Sequence, residues 1–136
     1  MTDIATRVEI MTDKLPKSDE VLELFSRLNW ANMKCRTTER FQAALERSWP
    51  IVTAWDGTRL VGICRSVTDG QYTAYIADLA VDPEYQSAGI GSGLVEKTLE
   101  LLEDFDTIAL VTSLAKVAFW EKLGFSHFPG GMMIRR

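Results

Sequence analysis

Apolar and polar residues alternate from Arg7 to Met11, which predicts a first strand. Ser18 is placed to cap a helix. Asp19 and Glu20 stand in its first turn, where carboxylates suit the helix dipole. Val21, Leu24, Phe25 and Leu28 then recur at helical spacing. Thr38 caps a second helix with Phe41, Ala44 and Leu45 on one face, ended before Pro50. A polar and aromatic connection, Asn29 to Arg36, joins the two. Three strands follow, Ile51 to Asp56, Arg59 to Thr68 and Thr73 to Val81, separated by the turn signals Asp56-Gly57 and Asp69-Gly70. A helical period begins near Gly91 and carries Leu94, Val95, Leu99, Leu101 and Leu102. Thr107 to Thr112 reads as a short buried strand. Ala115, Ala118, Phe119 and Leu123 make a last helical stripe, closed by Gly124. Phe125 to Phe128 and Met132 to Arg135 read as two short terminal strands. The order β-α-α-β-β-β-α-β-α-β-β predicts an α/β (α+β) fold, a sheet of six to seven strands.

Length and composition narrow this picture. The 136 residues predict one domain over 1–136, with no linker or repeat dividing it. A chain of that size buries about 68–70% of its unfolded surface, so it needs no disulfide or metal to fold. Nineteen acidic residues against fifteen basic ones give a net charge of −4. No basic stripe interleaves with aromatics, so the reading is of no nucleic-acid partner. One histidine, His127, and two distant cysteines, Cys35 and Cys64, cannot supply the four ligands of a structural zinc site, and no metal is expected. Neither a nucleophile elbow nor another nucleophile signature accompanies His127. The Met1-Thr2-Asp3 start lacks an apolar leader, and the longest apolar runs, such as Ile108 to Val111, are four residues. The expectation is a cytoplasmic protein with no membrane partner.

The segment with chemical content is Asp78-Leu79-Ala80-Val81-Asp82-Pro83-Glu84-Tyr85-Gln86-Ser87-Ala88-Gly89-Ile90-Gly91-Ser92-Gly93-Leu94. An apolar strand ends, a proline turn follows, and three glycines open a helix. Glycines there let a ligand approach the backbone, and the free N–H groups of a first helical turn attract anions. Without a ligand the same residues make a glycine-rich strand-to-helix turn. A dinucleotide fingerprint would need glycine at Leu94, and no Gly-Lys-Ser/Thr exists for a P-loop.

Gln86-Ser87-Ala88-Gly89-Ile90-Gly91 resembles the Q/R-x-x-G-x-G/A pyrophosphate loop of the GNAT acyl-CoA-dependent N-acetyltransferases. Asp78 to Pro83 looks like that family's fourth strand, and Ala115 to Phe125 is similar to its A-x-x-x-F-Y-x-K-L-G-F segment. A finer likeness is to the small plastid-type serotonin or arylalkylamine branch, through Asp78 to Gln86 and Gly130-Gly131-Met132. The resemblance implies acetyl-CoA as co-substrate and direct transfer of its acetyl group to a small primary amine, an aryl- or alkylamine or a polyamine. It implies pyrophosphate contacts along Gln86, Ser87, Ala88, Gly89, Ile90, Gly91 and Ser92. It also implies pantetheine contacts at Leu79, Ala80, Val81 and Trp120, with the arm entering where the strand ending at Val81 splays from Thr107 to Thr112. Association into a homodimer fits the family, although no residue specifies it. A silent acyl-CoA-binding regulator and a protein-lysine acetyltransferase are the alternative readings.

The sequence departs from the family pattern in three places. Ser87 and Ala88 are neutral where many relatives carry Arg or Lys. Leu114 stands where relatives often have asparagine, and Trp120 where many have the tyrosine that protonates the leaving thiolate. Asp78, at the end of a strand's polar face, is then either the candidate base or a structural hydrogen-bonder at the strand end, and Tyr85 either the candidate acid or a packing residue of the turn. Of Trp30, Trp49 and Trp55, Trp30 is the candidate for the acceptor pocket, since the family places its substrate lid between the first two helices. Cys64 reads as a small buried hydrophobe, His127 as a packing or surface residue, and Asp82 and Glu84 as solvated turn residues.

Overall fold

The computed structural model describes residues 3–30 and 37–136. The chain opens with a single helical turn, α1 (Ile4–Arg7), which the alternating pattern does not reveal, followed by β1 (Val8–Met11). Helices α2 (Ser18–Arg27) and α3 (Thr38–Arg47) come next. Each N-terminus lies one residue before the expected cap. Lys17 precedes α2, its N–H donating to Glu20 Oε1 at 3.0 Å, and Thr37 Oγ1 accepts from the Arg40 N–H at 3.2 Å. Ser18 is instead buried inside the first turn, where its N–H donates to Gln42 Oε1 on α3 at 3.1 Å.

Strands β2 (Ile51–Asp56), β3 (Arg59–Thr68) and β4 (Thr73–Val81) form an antiparallel meander with the expected limits. Their turns use the expected chemistry. Gly57 and Gly70 have φ of +61° and +81°, open to glycine at no steric cost. Asp69 Oδ1 accepts from the N–H groups of Gln71, Tyr72 and Thr73, and these bonds hold its carboxyl below the usual carboxylate range. Helix α4 (Ile90–Leu101), strand β5 (Thr107–Ala109) and helix α5 (Val117–Lys122) complete the order.

The sheet runs β1-β2-β3-β4-β5, with β5 parallel to β4 and every other pair antiparallel. It has five strands among the described residues, not six or seven. The terminal strands expected at Phe125 to Phe128 and Met132 to Arg135 do not form. β5 stops at Ala109 and offers no long edge to pair with, and Phe128, Met132, Met133 and Ile134 are exposed. Phe125 instead packs edge-on against Trp120, with ring centroids 5.3 Å apart.

Helices cover both faces of the sheet. On one, Val21, Leu24 and Phe25 of α2 and Phe41 and Leu45 of α3 pack on Ile51, Trp55, Leu60, Ile63 and Ala80. On the other, Ile90, Leu94 and Val95 of α4 and Trp120 of α5 pack on Val52, Ala54, Val61, Cys64 and Ile76. Close approach of α4 depends on small residues. A Cβ at Gly93 would lie 2.8 Å from Ile10 Cδ1, and one at Gly62 would lie 3.0 Å from Leu94 Cδ1. No helix among the described residues is long and apolar enough to cross a membrane.

Candidate active site

Strand β4 pairs with β3 on one side and β5 on the other, and the two ladders end differently. The β3 register slips between Arg65↔Asp78 and Ser66↔Ile76, leaving Ala77 as an extra residue on β4. Such a bulge bends its strand and increases the local twist. The parallel ladder to β5 covers only Thr73↔Thr107 to Tyr75↔Ala109, so it ends two residues before the bulge. Beyond it β4 leads away, and Leu110 to Ser113 have no strand to pair with. That is why the strand expected over Thr107 to Thr112 stops at Ala109.

The gap between the diverging strands is a cleft of about 740 Å³, within the roughly 300–1,000 Å³ usual for small-molecule sites. Ile76, Ala77, Asp78, Leu79 and Val81 form its β4 wall, and Leu110, Val111, Thr112 and Ser113 the wall opposite. Its lining draws on both faces of the sheet, from Trp30 beside α2 to Phe119 and Trp120 on α5.

The start of α4 closes one end. Gly89 has φ of +82° and is the residue before the helix, while Ser87 adopts φ of +66°. The first helical bond runs from the Gly93 N–H to the Gly89 carbonyl at 3.0 Å. The N–H groups of Ile90, Gly91 and Ser92 therefore precede the ladder, and these residues line the cleft. Gly91 lies outside the positive-φ region and so is not needed for its φ, and a Cβ there would meet Phe119 at 3.6 Å and Val81 at 3.7 Å, ordinary contacts. Its absent side chain instead leaves the backbone of the first turn accessible. Gln86 ties the loop to the strand: its Nε2 donates to the Val81 carbonyl at 3.0 Å.

Of the expected cofactor contacts, Leu79, Val81, Gln86, Ser87, Gly89, Ile90, Gly91, Ser92 and Trp120 line the cleft. Ala80 and Ala88 do not. Ala80 alternates to the opposite face of β4, where it packs in the α2–α3 core, and Ala88 packs against the α4 side of the sheet. Leu114, 85% exposed, is also outside the lining, and its neighbours Ser113 and Ala115 take the wall. Trp30 lines the cleft, stacked on Phe25 with centroids 4.5 Å apart. Trp55 is buried in the core and Trp49 lies on the surface against Phe105, both outside the lining. Cys35 and most of the connection between the first two long helices lie outside the described residues. Ala77, Thr112, Lys116 and Phe119 line the cleft without having been singled out from the sequence. Lys116 and Phe119 both sit inside the resembled Ala115 to Phe125 segment, the one signal in the sequence that could place them at the site.

Asp78 and Tyr85 both line the cleft, each with a partner that alters its expected role. Asp78, 6% exposed, faces Arg65 across the β3–β4 pair and accepts from Arg65 Nε at 2.6 Å. Arg65 Nη1 also donates to Ser48 Oγ at 3.0 Å, and the guanidinium lies 5.6 Å from the Phe41 ring. This part of the cleft wall thus carries an Arg65–Asp78 ion pair rather than a lone carboxylate. Tyr85 donates its hydroxyl proton to Asp56 Oδ2 at 2.6 Å. That bond, with desolvation, raises the phenol's pKa above the ordinary tyrosine value. The proton expected to reach a leaving thiolate is directed at the end of β2, so the hydroxyl acts as a brace for the turn.

Two other expectations resolve on burial. Cys64 is fully buried, and that burial pushes its thiol up to about 11, so it holds little thiolate near neutrality. His127 is exposed, as read. Asp82, by contrast, is not solvated. It is 1% exposed, and its Oδ2 meets Arg27 Nη1 at 3.1 Å and Arg59 Nη2 at 3.2 Å. Its Oδ1 accepts from the Glu84 N–H at 2.9 Å.

Comparison with known proteins supplies the family. An uncharacterized N-acetyltransferase of Porphyra purpurea is 28% identical over 119 residues, 83% of this chain and 67% of that protein. The chloroplastic GCN5-related N-acetyltransferase 2 of Arabidopsis thaliana is 40% identical over 76 residues, 54% of this chain and 30% of that protein. This chain spans about a third to a half of the length of the plant relatives it matches. Among solved structures, a GNAT-family acetyltransferase of Streptococcus pneumoniae superposes with a TM-score of 0.79 at 31% identity, covering 95% of this chain and 98% of that one. The acetyltransferase (GNAT) family model matches residues 17–125, a span that takes in the bulged β4, the glycine-led α4 and the Trp120 helix, and the chain belongs to that family.

Proposed function

We propose that the chain transfers the acetyl group of acetyl-CoA directly to a small primary amine. The observation that carries this reading is the cleft opened by the Ala77 bulge, with the unladdered N–H groups of α4 at one end and the Asp78 wall at the other. The residues fit acetyl-CoA: Ile90, Gly91 and Ser92 present backbone donors for the pyrophosphate, and no side chain at Gly89 or Gly91 covers them. Among the described residues the β4 edge beyond Tyr75 has no ladder partner, so its backbone groups, other than the Val81 carbonyl held by Gln86, are available to pantetheine amides and to polarise a thioester carbonyl. When bound, acetyl-CoA supplies an acyl group on a thiol leaving group.

The chain's own groups order the acceptor and its proton. Trp30 offers an aromatic face at the cleft, suited to an aryl- or alkylamine. Asp78 takes the ammonium proton, directly or through one water, and Arg65 fixes the orientation of its carboxylate. With the Tyr85 proton engaged and Trp120 only a hydrogen-bond donor, the thiolate departs without a protein acid. A thiol pKa near about 8.5 makes that tolerable.

Free-thiol release from acetyl-CoA across aryl-, alkyl- and polyamines and a lysine peptide tests the reading. Turnover with a small amine supports it. Turnover with the peptide alone moves the acceptor to protein lysine, and binding without turnover identifies an acyl-CoA-binding regulator. A Gly91→Glu variant tests the loop separately. A circular-dichroism melt first establishes that the variant is folded, and it should then show at least about a tenfold loss in acetyl-CoA affinity from a carboxylate beside the pyrophosphate. Unchanged affinity by calorimetry in a folded variant would remove the loop from the site.

A further inference from the structure

The phosphates of acetyl-CoA need positive charge, and the loop meant to receive them has none between Gln86 and Ser92. The next cation along α4, Lys97, is three helical residues beyond Leu94 and donates to Glu100 at 3.2 Å. On a chain of net charge −4, backbone donors alone leave the approach of a polyanion unassisted. The opposite wall carries what the loop lacks. Among the described residues lining the cleft, Lys116 is the one cation, exposed and without an acidic partner among the described residues. Its place follows from Phe119, whose ring lies within van der Waals distance of where a Gly91 Cβ would stand. Lys116 is three residues before Phe119, one turn away on the same side, and both line the cleft. A flexible four-carbon stem gives its ammonium reach over the opening at the start of α4.

We infer that Lys116 is the phosphate-binding cation of this protein, supplying from the start of α5 the charge that Ser87 and Ala88 do not. It pairs with the phosphates of the acyl donor while the α4 amides hold them from the other side. Division of the anion site between two elements also means that the donor bridges α4 and α5 when bound. This inference rests on acetyl-CoA being the donor.

Calorimetry on wild type and Lys116→Gln with acetyl-CoA and with acetyl-pantetheine, which lacks the phosphates, tests it. The variant should bind acetyl-CoA about three- to tenfold more weakly, with a shallower salt dependence, and bind acetyl-pantetheine as wild type does. Lys116→Arg should restore acetyl-CoA affinity. Equal acetyl-CoA affinity and salt slope in wild type and Lys116→Gln would overturn the inference and leave the donor assignment standing. Equal losses for both ligands would also overturn it, showing a structural effect. Failure of wild type to bind acetyl-CoA at all would overturn the donor assignment, and this contact with it.

Discussion

Replacing Asp82 with asparagine should lower the free energy of unfolding by about 3–5 kcal/mol, the usual result of leaving a buried charge unpaired. The side chain is 2% exposed and joins three elements: α2 through Arg27, the start of β3 through Arg59, and the turn after β4 through Glu84. Arg27, 21% exposed, is the partner left without compensation, and its Nη2 is also held by the Leu60 carbonyl at 2.9 Å. Arg59 is 49% exposed, so water screens it, and Arg59→Ala should cost less than about 1 kcal/mol. For a fold whose whole stability is about 5–15 kcal/mol, the Asp82 loss would be large. Urea unfolding measures it. The Asp82→Asn, Arg27→Met double variant should recover part of the loss, because it no longer buries a lone charge. A single-variant loss below about 1 kcal/mol would show that the three-way contact contributes little.

The second large effect concerns the proposed base. Asp78→Asn should lower turnover at pH 7 by at least roughly tenfold, within the range of about 10²–10⁴ that general base catalysis contributes. An acceptor amine with a pKa near about 10 arrives as ammonium, so a variant without the base must wait for the rare neutral form. Its rate should therefore climb with pH and approach wild type as free amine accumulates. Asparagine keeps an oxygen for Arg65 Nε, so the 2.6 Å contact can persist as a neutral-acceptor hydrogen bond. Arg65, 13% exposed, still loses its ionic partner, so the variant should also be less stable than wild type, and turnover is compared at a temperature where urea unfolding shows both proteins fully folded. Tyr85→Phe should reduce turnover less, since its hydroxyl bonds Asp56. A wild-type rate and pH profile in Asp78→Asn would assign the proton to water.

Much of this molecule follows from local sequence. The limits of β2, β3 and β4 agree with the pattern because alternation and Asp-Gly turns act over neighbouring residues. The glycine loop was legible for a similar reason: Gly89 at φ of +82° and a helix beginning directly after it follow from residue type and order. The family motifs around Gln86 to Gly91 and Ala115 to Phe125 added the strand divergence and the expectation of an acyl-CoA donor, which periodicity by itself does not contain.

What the pattern could not contain is pairing between distant residues. Asp78 reads as a base or a strand-end hydrogen-bonder with no partner named until the β3 register sets Arg65 opposite it, and Asp82 reads as a solvated turn residue until α2 folds Arg27 onto it. The Ala77 bulge has no residue signature, yet it separates β4 from β5 and thereby makes the cleft. The same divergence shortens β5 and leaves the alternating C-terminal segment without an edge to join. Sequence by itself determined the central strands, the long helices, the glycine-led start of α4 and the family, because those depend on residues adjacent along the chain. Only the tertiary structure decided which charges are neutralised, which way the Tyr85 proton points and where the cleft opens, because a side chain's electrostatic partner is set by strand register and helix docking.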